Sequence, residues 1–206
     1  IAYRIDGKTT YAMEGSIFIA GAGVQWLRDR MKFFKKAPET EKIVKSLDNN
    51  NDIYLVPAFT GLGAPYWDAN ARGVLSGITR DTSPKEIVRA TIEAVAYQTF
   101  DLFEAMKHDG LRPKIVKVDG GMVMNNWFSQ FLSDIVNVKV LRPKVQETTA
   151  LGAAFMAGLQ IGVYKSLKDI SKNWHLDKKF SPKMKNKSRS MLIKGWEKAV
   201  KRALIN

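Results

Sequence analysis

The residues with an obvious chemical use lie in two glycine-bearing stretches. One reads Val118-Asp119-Gly120-Gly121-Met122-Val123-Met124-Asn125-Asn126. Apolar Ile115, Val116 and Val118 lead into the paired glycine, and a helix-like stretch follows at once. A strand that ends in Gly-Gly and opens a helix gathers bare N–H groups and a helix N-terminus in one place. That is a seat for a phosphate. A side chain there would hold the anion off the main chain. A tight left-handed turn accounts for Gly-Gly equally well. The other stretch is a predicted helix from about Ile17 to Lys32, with apolar residues recurring at Ile17, Ala20, Val24 and Leu27. Gly21 and Gly23 fall inside it. Each glycine costs a helix about 1 kcal/mol against alanine. Another helix or a ligand must therefore come close to justify them.

Composition excludes several other chemistries. The 206 residues contain no cysteine, which rules out disulfides, thiolate metal sites and a cysteine nucleophile. Cysteine-free composition suits a reducing cytoplasm. His108 and His175 are too few and too far apart for a zinc site. A 45% hydrophobic content supports a full core and argues against disorder. No 18-residue apolar run exists, so no membrane partner is expected. The chain opens Ile-Ala-Tyr-Arg-Ile-Asp-Gly, within a predicted strand and with neither Met nor a signal peptide. It reads as a piece of a longer protein.

The net charge of +13 is uneven, since residues 165–206 hold 13 Lys or Arg against three acids. Such an excess could attract nucleic acid. The lysines are scattered and no RNA-binding motif accompanies them, so a solvated basic helical region at about 165–206 is the expectation, with no nucleic-acid partner.

The elements that must position the glycines alternate along the chain. Tyr3–Ile5 and Thr9–Ala12 flank Asp6-Gly7, a hairpin signal. A short helix follows at Glu39 to Leu47, then a strand at Ile53–Val56 ended by Pro57. The loop from Ala58 to Gly73 is dense in glycine and aromatics, as ordered functional loops are. A strand at Val74–Ile78 precedes a long helix to about Lys107, with Thr82 or Ser83 as N-cap and Pro84 and Glu86 in its first turn. Beyond the Gly-Gly motif come a helix from Asn125 to about Val136, a strand at Lys139–Leu141, an Ala/Gly-rich helix from Thr149 to Gly162, and a last helix from about Lys187 to Ile205. Trp67, Trp174 and Trp196 are expected to be buried. Alternating strands and helices predict an α/β fold, a mixed sheet flanked by helices. Ligands in such sheets sit beyond the carboxyl ends of strands, where both Gly120-Gly121 and the Ala58–Gly73 loop fall.

Residues 73–93 then take the reading further. Gly73, Leu75, Gly77-Ile78, Glu86-Ile87 and Ala90-Thr91-Ile92-Glu93 resemble the C-terminal signature of the FGGY carbohydrate kinases. Tyr11–Gly15, Ala20–Asp29, Pro57–Asp68, Val118–Asn126, Thr148–Gly158 and Gly195–Ala203 are similar to the glycerol-phosphorylating branch of that family. Xylulose- and ribulose-type kinases are the alternative within it.

The resemblance implies an actin-like, ribonuclease-H-like ATPase domain. Residues 1–206 would be most of the C-terminal, nucleotide-binding domain, with the N-terminal catalytic domain absent. It implies ATP and Mg²⁺ as cofactors, ATP/ADP as partners, and glycerol bound mainly by the other domain of a homo-oligomeric full-length protein. By the same resemblance Gly21 and Gln25 would contact the nucleotide from the first helix, and Gly120, Gly121 and Asn125 from the glycine turn. No catalytic residue falls in this chain, because the family's proton-accepting aspartate lies in the first domain. Asp119 is expected to brace the glycine turn, and Glu14 to tie the hairpin to the first helix.

Overall fold

The computed structural model describes residues 1–204. Strands β1 (Tyr3–Ile5) and β2 (Lys8–Thr10) pair antiparallel, with Tyr3 opposite Thr10. Asp6 and Gly7 both have positive φ, at 48° and 75°, as a two-residue turn matching the strand twist requires.

The first helix is shorter than the periodicity predicts. Helix α1 spans Gly21–Asp29, so Gly21 opens the helix instead of interrupting it. Residues 11–20 run outside regular structure because their neighbours occupy the space and the hydrogen bonds that a helix would need. Gly15 lies hard against the Leu102 side chain, and Gln98 Nε2 donates to Ile19 O at 3.2 Å. Gly23 is buried in α1, where an added Cβ would meet Thr91 Cγ2 at 3.0 Å. Close helix packing thus explains Gly23. Glu14 is exposed.

Helix α2 (Glu39–Lys45) leads to β3 (Tyr54–Val56), which pairs antiparallel with β4 (Val74–Ser76). Helix α3 (Pro84–His108) is the hub of the molecule and touches α1, α2, β3 and the later helix α4. Its start is fixed by a capping box. Ser83 Oγ accepts from Lys85 N at 3.2 Å, and Ser83 N donates to Glu86 Oε2 at 2.9 Å. Of the two N-cap candidates, Ser83 serves.

The Ala58–Gly73 loop is ordered by its own bonds. Asp68 Oδ1 accepts from Asn70 N at 2.8 Å and Ala71 N at 3.0 Å, and Tyr66 Oη donates to Asp101 on α3 at 2.9 Å. Trp67, expected inside, is 69% exposed. Its positive φ of 51° turns it out of the loop while Tyr66 takes the buried side. Trp196 is fully buried, as expected, and Trp174 is half-buried beneath the Lys117 ammonium, 4.2 Å from the ring centre.

The mixed sheet holds three strands in the order β5 (Ile115–Lys117), β6 (Lys139–Pro143), β7 (Leu176–Phe180). β5 and β6 run parallel, joined through α4 (Asn126–Val136), and β7 is antiparallel to β6. Strand β7 falls in the basic connector, where no strand is expected. It is an edge strand of sequence Leu-Asp-Lys-Lys-Phe whose charged residues face water, so it lacks apolar alternation. Helices α5 (Thr148–Gln160), α6 (Leu167–Ser171) and α7 (Asn186–Ala203) complete the chain. The predicted end of the last helix at Ile205 lies outside the described residues. The buried core joins α3, α4, β3 and α7 through Tyr97, Phe131, Ile135, Val56 and Trp196.

Candidate nucleotide site

A cavity of about 370 Å³ opens between α1, the start of α2 and the turn before α4. One wall is a single face of α1. Gly21, Val24, Gln25 and Arg28 follow one another at intervals of three or four residues, the spacing that stacks side chains along a helix. The facing wall is Ala37, Pro38, Thr40 and Glu41, and the floor is the buried Ile92 of α3. Gly121, Met122, Met124 and Asn125 close the third side.

Four of the five candidates thus surround one cavity, although Gly21 and Asn125 are a hundred residues apart in the chain. Gly120 is not on its wall. Its backbone at φ 81°, ψ 174° is a region that glycine alone occupies readily, and its N–H donates to Gln146 O at 3.2 Å. The turn itself therefore accounts for Gly120.

Gly21 and Gly121 differ from Gly120. Neither has positive φ, and an added Cβ at either would meet nothing within 4 Å. Neither the backbone nor the packing of this chain requires glycine at these two positions. Both open onto the same empty volume. A ligand that approaches the main chain closely supplies the missing reason.

The Gly-Gly turn does not run straight into a helix. A single 3₁₀ turn at Gly121–Met124 intervenes, and Asn125 then caps α4, its Oδ1 accepting from Phe128 N at 3.0 Å. The first N–H groups of such a turn lack partners within it, so they face outward as donors. Asp119, beside the turn, accepts a hydrogen bond from the Thr148 hydroxyl at the start of α5. That agrees with a bracing role.

Charge at the cavity is placed by neighbours. Arg28 is held by its sequence neighbour, Nε to Asp29 Oδ1 at 2.7 Å and Nη2 to Oδ2 at 2.9 Å. Burial works to raise the Glu41 carboxyl. The Lys45 ammonium at 2.5 Å and the Asn126 N–H at 3.2 Å outweigh it and hold the group below the usual carboxylate range. Apolar Val24, Ile92, Met122 and Met124 between polar rims suit a flat heterocycle, and the glycine turn suits an anion. No residue of the Ala58–Gly73 loop lines this cavity; Tyr66 ties that loop to α3.

Arg28, Thr40 and Glu41 were not singled out by the sequence. Arg28 had a signal, being seven residues after Gly21 on the face that carries Gln25. Thr40 and Glu41 had none, since they reach Asn125 and Asn126 across 85 residues of chain.

This architecture is shared with carbohydrate kinases. The family model described as the FGGY family of carbohydrate kinases, C-terminal domain, matches residues 2–161, and the chain belongs to that family. It has the family's actin-like, ribonuclease-H-like ATPase fold. It is 56% identical to Glycerol kinase 1 of Pseudomonas aeruginosa over 98% of its own length and 41% of that protein. Against the glycerol kinase of Thermoanaerobacter pseudethanolicus the identity is 53%, covering 99% of this chain and 41% of that one. Among solved structures, that of Plasmodium falciparum glycerol kinase with ADP superposes with a TM-score of 0.81 at 38% identity, over 90% of this chain and 37% of that one. The ligand-bound xylulose kinase of Lactobacillus acidophilus shares the fold, with a TM-score of 0.76 at 24% identity. The chain thus spans about two fifths of the length of the curated relatives it matches.

Proposed function

We propose that this chain is the nucleotide-holding part of an ATP-dependent glycerol kinase, which converts ATP and glycerol into ADP and glycerol 3-phosphate. The observation that carries the reading is the pair Gly21 and Gly121. Two glycines that the fold does not need line one cavity from two different walls. The similarity to glycerol kinases, one of them solved with ADP, supports the choice of nucleotide and acceptor.

In this reading residues 1–206 form most of the C-terminal domain, with residues 165–206 as its basic helical end. The apolar slot takes the nucleoside, with Gln25 and Asn125 offering amide hydrogen bonds at its rim. The N–H groups of the glycine turn face the phosphates. Phosphoryl transfer needs positioning and charge stabilisation more than covalent help. The described residues include no group of three metal-ligating side chains. Mg²⁺ accordingly belongs to the reading as the companion of the triphosphate, a role in which it keeps mostly water and phosphate ligands. Glycerol and the base that takes its proton belong to the remaining three fifths of the enzyme, which acts in the cytoplasm as a homo-oligomer.

Titration calorimetry with ADP and Mg²⁺ tests this. The parent chain binds ADP, and Gly121→Ala and Gly21→Ala bind it much more weakly while melting no lower than the parent, because neither methyl meets an atom of the protein. Variants that bind as the parent does would overturn the assignment. In a coupled ADP-release assay the chain by itself turns over no glycerol, and turnover at the rate of a whole kinase would refute the division of labour.

A further inference from the structure

Asn125 reaches the cavity with its side-chain oxygen already engaged. Oδ1 accepts from Phe128 N at 3.0 Å, which fixes the amide so that Nδ2 is the free end. One Nδ2 hydrogen goes to Thr40 Oγ1 at 3.4 Å. Thr40 is itself buried, at 4% exposure, and its hydroxyl hydrogen is committed to Ala37 O at 2.7 Å. The hydroxyl oxygen can therefore only accept from Asn125. The next residue on α2 repeats the grip. Glu41 Oε2 accepts from Asn126 N at 3.2 Å, while its other oxygen holds Lys45 at 2.5 Å. Helix α2 thus clasps the N-terminus of α4 at two successive residues, and Thr40, Glu41 and Asn125 of these clasps line the cavity.

We propose that Thr40 and Glu41 are positioning residues for the nucleotide. They hold Asn125 so that its second Nδ2 hydrogen is presented to an acceptor atom of the ligand, a ring nitrogen or an oxygen. They also set the separation between α2 and the glycine turn, and with it the width of the slot. The proposal rests on the reading of this cavity as a nucleotide site. It assigns the recognition to a donor: a group of the nucleotide that can only donate, such as an exocyclic amino group, has no place opposite Asn125.

The test is ADP·Mg²⁺ affinity by calorimetry, at a temperature where circular dichroism shows each variant folded, beside the unliganded melting temperature. Thr40→Val keeps the shape and removes the acceptor. It weakens ADP by about fivefold, the share of one hydrogen bond, and Thr40→Ser restores it. Glu41→Ala, at a partly exposed position, weakens ADP similarly, while Glu41→Gln, which keeps an oxygen for Asn126 N, binds as the parent does. Parental affinity in Thr40→Val and Glu41→Ala overturns the proposal. So does equal weakening in Thr40→Ser and Glu41→Gln, because the hydrogen bonds would then not be the cause. If the parent and Gly121→Ala fail alike to bind ADP, the nucleotide reading falls, and this proposal falls with it.

Discussion

Asp101 is the residue whose chemistry most exceeds its visibility in sequence. It sits on the face of α3 away from the cavity floor, and a single oxygen, Oδ2, accepts from Trp196 Nε1 at 2.7 Å and Tyr66 Oη at 2.9 Å. Burial raises its carboxyl to about 6, despite those two donors, and Glu197 adds to the rise. The sign follows from the reference value of 3.8. Folding favours the protonated form, so the group's stabilising share is complete below pH 3.8 and is lost as pH rises through about 6. The loss is at most about 3 kcal/mol for a shift of this size. Asp101→Asn keeps an oxygen for both donors and cannot ionise. Its stability, from urea unfolding, should pull ahead of the parent's between pH 4 and 6 and stay ahead above. Parallel curves for the two proteins would show that Asp101 does not titrate there. Gly21, Gln25, Gly121 and Asn125 were legible, because spacing and resemblance both mark short-range patterns. Asp101, Thr40 and Glu41 were not, since their partners lie 35 to 95 residues away and no periodicity records such pairs.

At the scale of elements, the strongest start signal in the sequence was also the most faithful. Ser83, Pro84 and Glu86 predict the head of α3, and the structure shows the reciprocal bonds. Burial would raise the Glu86 carboxyl, but the Ser83 hydroxyl and the first-turn N–H groups hold it low, so it stays an acceptor. Ser83→Ala leaves the Lys85 N–H without its side-chain partner and should lower unfolding free energy by about 1 kcal/mol, with no change in ADP affinity, since the cap lies more than two turns from Ile92. A drop in affinity at full folding would mean that the cap reaches the site through the helix. Elements without local signals went unread. Helix α1 begins four residues later than its apolar periodicity suggests, because Gln98 and Leu102 of α3 occupy the preceding segment. Strand β7 owes its existence to pairing with β6, which its charged sequence does not announce. Alternation of strands and helices was enough for the fold class, yet it could not tell that β1–β2 and β3–β4 stay outside the three-stranded sheet.

For the whole molecule, the cavity joins parts of very different depth. Its floor belongs to α3, which is buried almost continuously from Val88 to Gln98, while its walls are a nine-residue helix, a seven-residue helix and one 3₁₀ turn. Short helices are marginal without tertiary support. The two depths should separate in native-state amide exchange. Amides of Ala94 to Gln98 should open only when the whole chain unfolds, and those of α1 and α2 should open by local fluctuation many times faster. Saturation with ADP should then slow exchange in α1, α2 and the 3₁₀ turn far more than in the centre of α3. A molecule arranged in this way would meet its ligand with soft walls on an immobile base, and the ordering of the walls would be drawn from the energy of association.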